Sequence, residues 1–253
     1  MRLLTKAWYQ TMQDSGLGVQ LVADDRAAAY SEEVFQTLWD RKLEEWMELR
    51  AELEEEFDEG QERRLFREGY LCDLEIFRTR TPAKIMEKVA DIRVLALGFC
   101  TAEVYRDFSD YRALCEERTE KTIEEAWNMR VSQGLENAFT GEYSLHDAFV
   151  LSLNREGEDL VIEFDRENDP ELLEELGEEF LFPEIKAIRF RDAEILKQEG
   201  PIPNAWWLYD EIWRTGEGAF EIHALLWRND DLLELTIECR DTELVWTVEP
   251  KAE

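Results

Sequence analysis

The chain has 253 residues, 44% of them hydrophobic, enough to bury one large core or two modest ones. Its 60 acidic residues outnumber 29 basic ones for a net charge of −31, which disfavours nucleic acid and anionic membrane as partners because like charges repel. Nine Trp, seven Tyr and thirteen Phe exclude the composition of a disordered chain.

The opening MRLLTKAWYQTMQDSG has two positive charges, but Lys6, Gln10 and Gln13 interrupt the continuous apolar core that a signal peptide needs. No stretch approaches the ~18 apolar residues of a membrane span. A cytoplasmic location is the resulting expectation. It agrees with four cysteines, Cys72, Cys100, Cys115 and Cys239, spaced neither as a zinc knuckle nor as a disulfide framework and read as buried free thiols.

From about Tyr30 to Asn137 the apolar residues recur at helical spacing. Phe35, Leu38, Trp39, Trp46, Leu49, Leu53 and Phe57 predict one long helix with a single apolar stripe, with Ser31 as its N-cap. QERRLFREGYLCDLEIFR predicts a second helix. A third is expected from Thr81-Pro82, the threonine capping and the proline at the first helical position. A fourth begins near Thr101, and a fifth carries Ile123, Ala126, Trp127, Met129 and Arg130.

After Gly141 the period changes to two. His146–Leu153 and the alternating Leu160, Ile162 and Phe164 predict a hairpin closed by NREGED. Further strands are expected at Ile185–Phe190, Ala219–Trp227, Leu232–Cys239 and Glu243–Val248, with Asn229-Asp230-Asp231 and Arg240-Asp241 as turns. Short turns imply an antiparallel meander. The expected class is α+β: an N-terminal bundle of about five helices over 1–140, then an antiparallel β-rich domain over 141–253. Charge also divides there: 19 basic and 30 acidic residues precede residue 141, and 10 and 30 follow, so the β half carries −20 and the helical half −11.

Few constellations suggest chemistry. FDRENDPE sets Asp165, Glu167 and Asp169 at alternate positions like a calcium loop, but Pro170 and Leu176 stand where that loop needs glycine and glutamate. No metal site is assigned and no cofactor is implied. His146 and Asp147 are adjacent, so within a strand they point to opposite faces and do not form an acid–base pair; Ser144 would share the face of His146. His146 reads as a packing residue, and His223 in FEIHALLW is its most obvious distant partner. PIPNAWWLYDEIWRTGEGAF clusters Trp206, Trp207, Tyr209 and Trp213 around Asp210 and Glu211. Aromatics mixed with acids suit a binding surface or core; the paired acids diverge, against a glycosidase arrangement. In LEEWMELRAELEEEFDEG, glutamates crowd a helix C-terminus against its dipole, a misfit that a basic partner would relieve. P-loop, GxGxxG, HExxH and GxSxG motifs are absent.

LLTKAWYQTMQ, the helical half, SLHDAFVLSLNREGEDLVIEFD and WWLYDEIWRTGEGAFEIHALLW together resemble an uncharacterised family of Gram-positive, largely spore-forming bacteria, domain of unknown function 4085, along nearly the whole chain. The resemblance carries no activity and transfers no functional residue. The β half, through SLHDA, is also similar to small acidic immunity proteins that neutralise bacterial toxins.

The leading expectation is a non-catalytic protein whose acidic, aromatic-bearing β half binds a basic protein, an immunity-like role being one version. One alternative is a metal-assisted hydrolase using His146 and His223 with Asp147 or Asp210, which requires both histidines in one cleft. Another is a structural oligomer joined through the long helix.

Overall fold

Helices fill the N-terminal half and an eight-stranded antiparallel sheet the C-terminal half, an α+β fold. The computed structural model describes residues 2–53, 57–140, 143–165, 184–216 and 218–247. No helix among the described residues is long and apolar enough to cross a membrane.

The described helices are α1 (Lys6–Asp14), α2 (Glu32–Leu53), α3 (Glu59–Arg80), α4 (Ala83–Met86), α5 (Ile92–Ala96) and α6 (Ala102–Ser132), with two short parallel strands, β1 (Val22–Ala23) and β2 (Phe99–Cys100). Ser31 accepts the Val34 N–H at 3.3 Å, as its capping position requires. The long stripe is shorter than its spacing suggests. Leu38 is fully buried, but Leu49 and Leu53 are exposed, and Phe57 is not helical. Asp58 then caps α3 by accepting the Gln61 N–H at 3.0 Å.

Thr81 and Pro82 do not begin a helix as predicted. The Thr81 N–H closes α3 by donating to the Phe77 carbonyl at 3.2 Å, Pro82 itself occupies the cap, and only one turn, α4, follows. The fourth and fifth predicted helices are one, because the 31-residue α6 has no breaker between Thr101, whose hydroxyl accepts the Val104 N–H, and Ser132. Cys72 is exposed, and the other three cysteines are buried and free.

The sheet comprises β3 (Ala148–Glu156), β4 (Asp159–Phe164), β5 (Ile185–Arg191), β6 (Glu194–Gln198), β7 (Trp206–Arg214), β8 (Phe220–Arg228), β9 (Asp231–Cys239) and β10 (Asp241–Trp246). Their spatial order is β10-β5-β4-β3-β7-β8-β9-β6. The β3–β4 turn has Gly157 at φ +69°, and the β8–β9 turn has Asn229 and Asp230 at +49° and +68°, the left-handed pair a two-residue hairpin needs.

The simple meander is not observed. β9 and β10 are joined by Arg240 alone, yet β10 pairs with β5 and β6 pairs with β9, so the chain turns a corner there instead of forming a hairpin. One apolar cluster draws on strands from both ends of this order, including Ile162, Phe190, Trp207, Ile222 and Ile237. The sheet therefore curls around its inner face.

The chain divides into two compact units, one of Met1–Tyr9 with Glu120–Glu253 and one of Gln10–Thr119. Inside the second, Leu17, Leu21, Phe77, Leu95, Val104 and Phe108 form one cluster, and Leu38, Val94 and Phe99 belong to another.

Candidate functional site

β7 determines what the sheet offers to its surroundings. Trp207 and Ile212 belong to the inner core, and Asp210 shares their face because it pairs opposite the core residue Ala224. A bulge at Leu208 resets the alternation, so Trp206, Tyr209, Glu211 and Trp213 all lie on the outer face, although the first two are three residues apart. Sequence periodicity treats this segment as merely extended, and the bulge is why strict alternation does not reveal β7.

The outer face is partly covered by the chain's first residues. Glu211, 7% exposed, accepts the backbone N–H groups of Arg2, Leu3 and Leu4, the last two at 3.1 and 3.4 Å. The Arg2 guanidinium lies 4.5 Å over the Trp213 ring and pairs with Glu221 at 3.1 Å. Further along, Lys6 pairs with Glu199 at 2.6 Å, and Trp8 packs edge-on against Tyr209 at 4.8 Å between centroids.

His146 and Asp147 are not in a strand. They form a turn before β3, and Asp147 at φ +61° swings its carboxylate to 3.0 Å from His146 Nδ1. This corrects the expectation that adjacent side chains diverge: the left-handed backbone makes them converge. The Ser144 hydroxyl accepts the His146 N–H at 3.0 Å, and the His146 ring stands edge-on to Tyr209 at 4.9 Å. Burial raises the hydroxyl pKa of both Tyr9 and Tyr209, and the nearby Asp147 charge adds to it. His146 thus contacts Asp147 and Tyr209 with nearly half of its side chain open to solvent.

His223 pairs opposite Glu211 on the same outer face but is buried. Its Nε2 lies 2.9 Å from Glu221 and its Nδ1 3.4 Å from the Thr236 hydroxyl, so both ring nitrogens face protein groups. Burial lowers its pKa, opposed by the charges of Glu221 and Glu211. Asp210 belongs elsewhere, beside a pocket of about 160 Å³ that Trp127 and Arg130 also line. Burial pushes its carboxyl up, while the Trp207 indole N–H, 3.0 Å away, and the Arg130 charge pull it back. The four catalytic candidates are therefore not one group. Among the described residues, no three His, Cys, Asp or Glu side chains are arranged to hold a metal ion. Of the calcium-like spacing, Glu167 and Asp169 lie outside the described residues.

The four aromatic candidates also separate. Trp207 is wholly buried, Trp213 sits under Arg2, and Tyr209 lies under Trp8. Trp206 alone remains open, at 41% exposure. Its direct cross-strand partner is Trp227, 40% exposed, and on its other side stands Phe149, 5.0 Å away. Phe149, Trp206 and Trp227 make an aromatic strip across β3, β7 and β8. The Asp165 N–H donates to the Phe149 carbonyl at 2.8 Å, which sets an acid beside the strip at its β3 end. At the other end Leu232 pairs with Trp227, and Arg228 pairs with Asp231 at the next position. Sequence reasoning missed Phe149 and Trp227, although each is followed or preceded by an aliphatic core residue at strand spacing.

No family model matches the chain, and no curated protein or solved structure matches it either.

Proposed function

We propose that the protein is a binding module that engages a basic protein through the Phe149–Trp206–Trp227 strip. The observation that carries this is the register: three aromatic side chains from three strands stand side by side, two of them about 40% exposed, with Asp165 next to Phe149 at one end. Large rings at the centre and charge at the rim are the composition of a protein interface. A net charge of −31 steers a cationic partner toward it and speeds encounter. An immunity-like role, with a basic toxin as partner, is the narrower form of the same reading.

The test compares tagged wild-type protein with a Trp206→Ala/Trp227→Ala double variant, each used to capture proteins from bacterial cytosol at low and high salt. A basic protein retained by wild type at low salt, released at high salt and lost by the variant is the expected result. Equal capture by both chains would remove the strip from consideration.

A further inference from the structure

The helical unit holds a pocket of about 230 Å³ lined by Trp46 of α2 and by Phe66, Gly69, Tyr70 and Asp73 of α3. The α3 residues recur at three- and four-residue steps, so they share one face of that helix. Their rings are fixed from behind. Trp39 packs edge-on against both Phe66, at 5.0 Å, and Tyr70, at 4.8 Å. The Trp46 indole N–H donates to Glu62 at 3.1 Å, and Glu62 is itself buried and paired with Arg50 at 3.0 Å. With that N–H already satisfied, Trp46 brings no spare donor; the Arg50 guanidinium lies 5.5 Å over its ring, which leaves the other face for a ligand.

Two further features distinguish this pocket from a packing gap. A Cβ built on Gly69 meets nothing within 4 Å, so the middle of α3 leaves open space where any other residue would project. Asp73 is half-buried, and its carboxylate has no hydrogen bond or ion pair with another described residue. Burial alone raises its pKa, with no nearby charge offsetting it. Lys42 lines the pocket too, but its ammonium pairs with Glu45 at 3.0 Å and lies 5.3 Å over the Phe99 ring. The ligand chemistry follows from these groups. An anion would meet the Asp73 carboxylate, and a neutral apolar molecule would desolvate it further without a counter-charge. A cation with apolar substituents satisfies both the carboxylate and the ring faces.

We propose that this pocket binds a small organic cation, an alkyl-substituted ammonium whose methyl or methylene groups pack on Trp46, Phe66 and Tyr70 while Asp73 balances its charge. The volume, below the ~300–1,000 Å³ of larger ligand sites, suits a molecule of choline size. The inference goes beyond the protein-binding reading and stands or falls separately from it, since none of its residues belongs to the aromatic strip.

Calorimetric titration of the full chain with choline, tetramethylammonium and the uncharged choline isostere 3,3-dimethylbutan-1-ol provides the test. Both cations are expected to bind saturably at one site, with the alcohol at least about tenfold weaker. Asp73→Asn should weaken choline binding at least about tenfold, and Gly69→Leu, filling the open space, should abolish it. Melting followed by circular dichroism establishes that each variant folds; if Gly69→Leu does not, Asp73→Asn and the choline-to-alcohol ratio decide. Absence of saturable binding by both cations, equal affinity for the alcohol, or unchanged affinity in folded Asp73→Asn overturns the proposal.

Discussion

Glu211 and His223 face one another directly across β7 and β8, each only 7% exposed, yet they serve different partners. Glu211 turns to the backbone of Arg2, Leu3 and Leu4, whereas His223 turns to Glu221 and Thr236. A buried carboxylate that gathers three backbone donors ties down the start of the chain. Replacing it with alanine leaves those donors unpaired, and Glu211→Ala should lower stability by roughly 1–3 kcal/mol in urea unfolding. No measurable change would mean that solvent replaces the carboxylate at no cost.

His223 makes stability depend on pH. Burial holds its folded pKa below the ~6.5 of the unfolded chain, so as pH falls the unfolded state takes up the proton first. Its contribution is complete above that value and declines below it. In His223→Gln the slope of unfolding free energy between about pH 7 and 5 should flatten, read from urea titrations at several pH values. A slope identical to wild type would assign the acid sensitivity to other groups.

Two neighbouring tryptophans should respond very differently to truncation. Trp207→Ala empties a fully buried position and should cost about 3–5 kcal/mol. Trp206→Ala removes an open cross-strand contact, with an expected cost of roughly 0.5–1 kcal/mol. Chemical denaturation of the pair would separate a core residue from one available for binding, and similar losses would show that Trp206 is a packing residue after all.

Gly69 lies inside α3, where glycine is a poor helix former. Because an added Cβ meets nothing, Gly69→Ala should raise stability by about 0.5–1 kcal/mol. Thermal melts of the two chains would measure it. A lower melting temperature would show that the space is needed by the fold itself.

Residues with strong local signals were legible in the sequence. Ser31 as a cap, the Asn229-Asp230 turn and the change of period after Gly141 all depend on neighbours close in the chain. Where a distant partner or one unusual backbone angle decided the outcome, the sequence was silent or misleading. Arg240 reads as a hairpin turn, but β10 finds its partner in β5. Leu208 hides a strand by shifting its parity, and Asp147 reverses the relation of two adjacent side chains through a single left-handed φ. The site suffered most from this, because exposure of Trp206 and burial of Trp207 depend on which face the curled sheet turns inward.

The strap of residues 2–9 also orders events during synthesis. Its anchor, Glu211, lies 208 positions after Leu3, so at ordinary translation speeds the strap waits roughly 10–40 s for the strand that will hold it. In between, the ribosome delivers the whole of Gln10–Thr119, a compact unit with cores of its own. The unit containing β7 is therefore begun by residues made before the helical unit and is finished only when β10, made after it, reaches β5. A nascent chain can complete its helical insert early while the sheet that surrounds it in sequence must assemble late.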